Sequence, residues 1–162
     1  METKIKGSPS FSHIHMNLEP GESIIAESGA MASMDVGIDL RSKMNGGFLK
    51  GLLIKLFGKE SFFLSKFTNK SDRRASVVFT QSTPGDIYEH RLESKKDELY
   101  IQPGAFLCRT KGVKVKLRWA GFKSWFGGEG LFRMKISGKG TCWISCFGSI
   151  LKKNHILFLI IK

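Results

Sequence analysis

The sequence predicts an all-β protein, a short double-stranded β-helix or β-sandwich with internal repeats. Three observations point there. Apolar and polar residues alternate over short stretches, best seen where Val113, Val115, Leu117 and Trp119 interleave with Lys114, Lys116 and Arg118, giving one apolar and one basic face. Turn signals are frequent: Pro20-Gly21, Pro84-Gly85 and Pro103-Gly104 each fix one φ and free the next. Segments of the first half recur in the second. At 162 residues the chain reads as a single domain, 1–162.

Taken in order, the N-terminal Met1–Gly7 stretch lacks the apolar core of a secretory signal and the Arg/Ser-rich character of a transit peptide. No run of 18 apolar residues is present, so no membrane-spanning segment is expected. Cys108, Cys142 and Cys146 form no CxxC and no even-numbered framework, and they read as small apolar side chains in a reduced, cytoplasmic protein. Ser61–Phe67 and Ala75–Thr80 are Phe- and Val-rich runs between turn residues, hence strands. Helical spacing occurs only over Gly47–Phe57, with Phe48, Leu52 and Leu56 at i, i+4 and i+8. This segment, which also carries Lys50 and Lys55, reads as a short element covering an open end of the sheet, with membrane-surface contact as the alternative.

The repeats align in blocks. At an offset of 75, Gly29, Ala30 and Gly37 meet Gly104, Ala105 and Gly112, and Ile24, Ile38 and Leu40 meet Leu99, Val113 and Val115. At an offset of 69, Phe57, Gly58, Glu60, Phe63, Lys66 and Lys70 meet Phe126, Gly127, Glu129, Phe132, Lys135 and Lys139. At an offset of 63, Gly85 and Ile87 meet Gly148 and Ile150. Copy one is expected at about 17–98 and copy two at about 99–155, with a third copy missing. The apolar tail His155–Lys162 then stands where a third copy would begin, as a strand whose partners are absent. Such an edge predicts a homo-oligomeric or poorly soluble product.

Several motifs appear in a fixed order: Glu27-Ser28-Gly29-Ala30-Met31, Gly46-Gly47, Gly58-Lys59-Glu60-Ser61-Phe62-Phe63, Pro84-Gly85-Asp86-Ile87, Pro103-Gly104-Ala105-Phe106-Leu107 and Gly127-Gly128-Glu129-Gly130-Leu131-Phe132. Over roughly residues 10–150 the pattern resembles the mitochondrial-biogenesis "altered inheritance of mitochondria" family. The resemblance implies a fold like that of the tryptophan RNA-binding attenuation protein, built by repetition. It implies no catalytic residue and no cofactor.

Three constellations bear on chemistry. Glu60 and Glu129 recur before an aromatic strand in each copy; they could form an acid/base pair if brought within roughly 5–9 Å, but recurrence favours a structural role at equivalent turns. Gly29, Gly85 and Gly104 are read in the same way, as structural motif residues. His13 and His15 share a strand face, and with Glu19 they resemble the first metal motif of the cupins. Ala26 stands where that motif has Gly, and no downstream Pro-x-Gly-x-x-His completes it, so no metal is assigned.

The charge is uneven. Against a net +12, residues 108–162 hold twelve Lys and Arg with Glu129 as their one carboxylate. Arg109, Lys111, Lys114, Lys116 and Arg118 form the candidate basic face, suited to polyanion or RNA contact. The function expected is a non-enzymatic binding or scaffold module. The alternatives are a basic nucleic-acid-binding β module and a cupin-like metal-binding protein.

Overall fold

The architecture comes from a computed structural model that describes residues 1–44, 63–102, 104–119, 132–153 and 156–159. The described residues contain strands and turns and no helix. An outer sheet has the order β1 (Glu2–Lys6), β2 (His13–Leu18), β7 (Ala75–Thr80), β4 (Met31–Met34). A six-stranded sheet follows as β5 (Ile38–Met44), β6 (Phe63–Asn69), β3 (Ser23–Glu27), β10 (Phe106–Arg109), β13 (Gly140–Phe147), β8 (Gly85–Leu92). The second outer sheet is β11 (Val113–Trp119), β12 (Phe132–Gly138), β9 (Glu98–Ile101), and β14 (Ile150–Lys153) pairs with β15 (Ile156–Leu159). All these pairs are antiparallel.

Two cores lie on opposite faces of the six-stranded sheet. On one side Ile24, Ala26, Leu107, Cys108 and Trp143 pack with Ile14, Met16, Leu18, Val77 and Phe79 of the first outer sheet. On the other, Phe106, Cys142 and Ile144 pack with Val113, Val115, Met134 and Ile136 of the second, and Ile25 packs against them. A strand covered on both faces must be apolar at consecutive positions, which is why Ile24-Ile25-Ala26, Phe106-Leu107-Cys108 and Cys142-Trp143-Ile144 lack alternation. The outer sheets keep it: β2 and β7 bury every second residue.

The topology repeats strand for strand. β2 to β7 form one unit with sheets β5-β6-β3 and β4-β7-β2; β8 to β13 form a second with β11-β12-β9 and β10-β13-β8. The hydrogen bonds repeat with it. Ala30 N donates to Glu27 O (3.1 Å) as Ala105 N does to Gln102 O (3.2 Å), and Thr80 N donates to Ala30 O (2.7 Å) as Ser145 N does to Ala105 O (2.8 Å). Ser76 N donates to Asp35 Oδ2 (2.7 Å), and Thr141 N donates to Thr110 Oγ1 (3.0 Å) at the corresponding place.

Three sequence expectations shift. The unit boundaries are 13–80 and 85–147 rather than 17–98 and 99–155, because β8 pairs with β13 as β2 pairs with β7. Gly29 and Gly104 occupy equivalent turns, but only Gly104 takes a left-handed φ, 87°. The strand Ile156–Leu159 is not left without a partner, since β14 supplies one. Gly85 bridges in parallel to both Phe11 and Gly148, so Gly85 and Gly148, matched at an offset of 63, are neighbours. Glu60, Glu129 and the Gly47–Phe57 segment lie outside the described residues.

Candidate functional site

The outer face of the β11-β12-β9 sheet is the candidate site. Lys114 and Lys116 are exposed on β11 while Val113 and Val115 are buried beneath, as the alternation predicts. Arg118 is exposed beyond them. Successive outward positions on one strand stand about 7 Å apart. The register sets Lys114 opposite Ser137, Lys116 opposite Lys135 and Arg118 opposite Arg133. Two cationic residues therefore face two others across the ladder, an arrangement that destabilises a sheet unless an anion relieves it.

Tyr100 and Glu98 on β9 complete this face, opposite Lys135 and Ser137. Tyr100 is 51% exposed, and Lys135 Nζ lies 5.9 Å from its ring centroid. Lys135 is also ion-paired to Glu98; the hydrogen bond between them raises the ammonium and lowers the carboxyl from their ordinary values. Arg133, Lys135 and Tyr100 escaped the sequence reading because no local pattern shows which strand β11 will pair with.

The first unit is a control for this arrangement. Asp39 stands in place of Lys114, Leu64 in place of Arg133 and Ile25 in place of Tyr100. Asp39 Oδ2 there accepts from Arg41 Nε at 2.9 Å, so part of the charge is internally compensated. The first unit keeps one cationic pair, Arg41 opposite Lys66, in place of Lys116 and Lys135, and is the less cationic of the two faces.

Arg109 does not belong to that face. It sits on the six-stranded sheet opposite Ile25 and Cys142, with its guanidinium bonded to the carbonyls of Val113 and Thr110. Burial lowers its pKa. Lys111 is exposed in the turn before β11.

His13 and His15 share the outer face of β2, ring centroids 5.1 Å apart. His13 Nδ1 lies 3.1 Å from Phe11 O, and burial, with Lys6 and His13 nearby, lowers the His15 pKa. Glu19 does not join them: its Oε1 accepts from Arg74 Nε and Nη2 at 2.8 and 2.5 Å. Among the described residues no three His, Cys, Asp or Glu side chains gather as a ligand set.

A cleft of about 70 Å³ opens at the seam between the units, lined by Glu27, Gly29, Thr80, Gln81, Ser82, Gly104 and Ser145 among others. Both polar atoms of the Gln81 carboxamide are buried without a hydrogen-bond partner. The lining suits a small hydrogen-bonding molecule. Gln81 was also missed from sequence, where it is one polar residue in a turn.

The three thiols are free and buried. Burial pushes Cys142 up to about 12 and raises Cys108 and Cys146 as well. All three are expected to resist a thiol reagent at pH 8 in the native protein and to react on unfolding, which timed Ellman titration with and without urea reads directly. A thiol raised by folding contributes stability that is full below its unfolded pKa, about 8.5. That contribution is lost as pH climbs from there towards about 12.

The family described as Mitochondrial biogenesis AIM24 matches residues 3–155. The protein belongs to the AIM24 family. An uncharacterised protein of Streptococcus pyogenes serotype M6 is 31% identical to it over 160 residues, 94% of this chain and 63% of its own length. An X-ray structure of a Streptococcus pyogenes protein aligns with a TM-score of 0.68 at 27% identity, covering 93% of this chain and 66% of that one. The chain thus spans just under two thirds of the length of these relatives. In this AIM24 protein, Glu27-Ser28-Gly29-Ala30 and Gly104-Ala105-Phe106-Leu107, two of the motifs read from sequence, meet at the seam cleft. No helix among the described residues is long and apolar enough to cross a membrane.

Proposed function

We propose that this AIM24 protein is a non-enzymatic binding module that takes single-stranded nucleic acid across the outer face of β11-β12-β9. The observation that carries this reading is the pairing of Lys116 with Lys135 and Arg118 with Arg133 beside an exposed tyrosine. The first unit repeats only part of this: Arg41 pairs with Lys66 as Lys116 does with Lys135, but Leu64 stands in place of Arg133 and Ile25 in place of Tyr100. Cations about 7 Å apart neutralise a phosphate backbone without reading its bases, and an exposed ring offers a surface on which a base can stack. A reduced, cytoplasmic compartment agrees with three unpaired thiols.

Fluorescence anisotropy with a labelled oligonucleotide, repeated over a salt series, tests the reading. Affinity should fall linearly with salt on a log–log plot. Replacing Lys114, Lys116 and Arg118 together by Ser should reduce the slope by about 2, from about 0.7 per lost phosphate contact on a single strand. Heparin should compete. Binding that is unchanged in the triple variant, or insensitive to salt, rejects the proposal.

A further inference from the structure

Two strands with an open edge correspond to two strands that already pair. Among the described residues β4 pairs only with β7, and β9 only with β12. By the repeat, β9 is the counterpart of β3 and β4 the counterpart of β10. β3 and β10 do pair, with Cys108 opposite Ala26 and Arg109 opposite Ile25, and this ladder joins the two units. Transposed by the repeat offset, the register becomes Ser33 opposite Ile101 and Met34 opposite Tyr100.

We propose that β9 of one chain pairs with β4 of a second copy of this chain, head to tail, in that register. Three observations support it beyond the correspondence itself. The two exposed apolar side chains that would meet, Met34 at 38% and Tyr100 at 51%, occupy these two edges. β4 carries a bulge between Met31 and Ser33, and β10 carries its counterpart between Phe106 and Cys108 while still pairing with β3. Neither edge is guarded by Pro or Lys, the usual means of preventing strand addition: β4 reads Met-Ala-Ser-Met and β9 Glu-Leu-Tyr-Ile.

The two surfaces differ, so the contact is heterologous. A pair keeps one edge of each kind available, β4 of one chain and β9 of the other, and association continues past the dimer into a ring or filament. The contact shares Tyr100 with the cationic face but uses no residue of β11, so the Lys114, Lys116 and Arg118 triple variant should associate as the parent does.

Met34→Cys and Tyr100→Cys are made as separate full-length chains, mixed under mild oxidation and resolved on a non-reducing denaturing gel. Paired strand positions put Cα atoms about 4.5–5.5 Å apart, within the range a disulfide spans. The cross-linked dimer should form in the mixture and not in either variant alone, while sedimentation shows the mass of the parent protein rising with concentration. Met34→Lys combined with Tyr100→Lys should weaken association at least tenfold; if that variant does not fold, the cysteine pair decides. Cross-linking of Tyr100→Cys with itself, no cross-link in the mixture, or a parent protein monomeric at all concentrations overturns the proposal.

Discussion

Trp143→Ala is expected to cost about 3–5 kcal/mol, the range for truncating a fully buried large aromatic side chain. Trp143 is 1% exposed, and its Nε1 donates to Glu89 Oε2 at 3.0 Å. Although it belongs to the second unit, its ring lies in the core formed with the first, beside Ile87 and Leu107. Domains of this size are stable by about 5–15 kcal/mol in total, so the variant should be marginal. The truncation removes packing shared by both units, so near- and far-ultraviolet circular dichroism should still report one coincident urea transition, moved to lower denaturant. Trp143→Phe keeps most of the apolar contact and loses the hydrogen bond, for a smaller cost near 1 kcal/mol. Two separate transitions in Trp143→Ala would show instead that the units fold independently.

Gly85→Ala should be comparably damaging for a different reason. A Cβ on Gly85 would lie 1.8 Å from the carbonyl oxygen of Cys146. That oxygen belongs to β13, the partner of β8, so it cannot move aside as a flexible side chain would. Gly85 also accepts from Ser12 N at 3.1 Å and bridges to Phe11 and Gly148, so a shift there disturbs the start of both units. A loss above about 3 kcal/mol, or failure to accumulate folded protein, is expected. Gly29→Ala is the matched control: a Cβ there meets nothing within 4 Å, and its effect should stay within about 0.5 kcal/mol. Thermal melts of the two variants side by side compare them; equal melting temperatures would contradict the steric argument.

Residue patterns along the chain determined the fold class and much of the repeat. The offsets of 75 and 69 carry β5 onto β11 and β6 onto β12 residue for residue, and the alternation over Val113–Trp119 correctly assigned the buried and exposed positions through Lys116, with Leu117 half-buried. These readings succeed because the period of two in side-chain direction is local: a strand with one dry face records that face in its own sequence. Tight glycines are not legible in this way: a Cβ at Gly85 would meet the Cys146 carbonyl oxygen of another strand, whereas at Gly29 and Gly104 it would meet nothing within 4 Å.

Strand pairing was decided by tertiary structure alone. β8 joined the second unit through its ladder with β13, although β2 and β8 share little sequence by which to align them. Arg109, two residues before Lys111, left the basic face because β10 is built into the six-stranded sheet whereas β11 is not. Arg133, Lys135 and Tyr100 joined that face from strands β12 and β9. Glu19 turned to Arg74, 55 residues away, rather than to the histidines near it in sequence. A strand's sequence specifies which side must be dry, and many partners satisfy that condition equally. The choice among them is made by the summed packing of both cores, a long-range quantity that no single segment encodes.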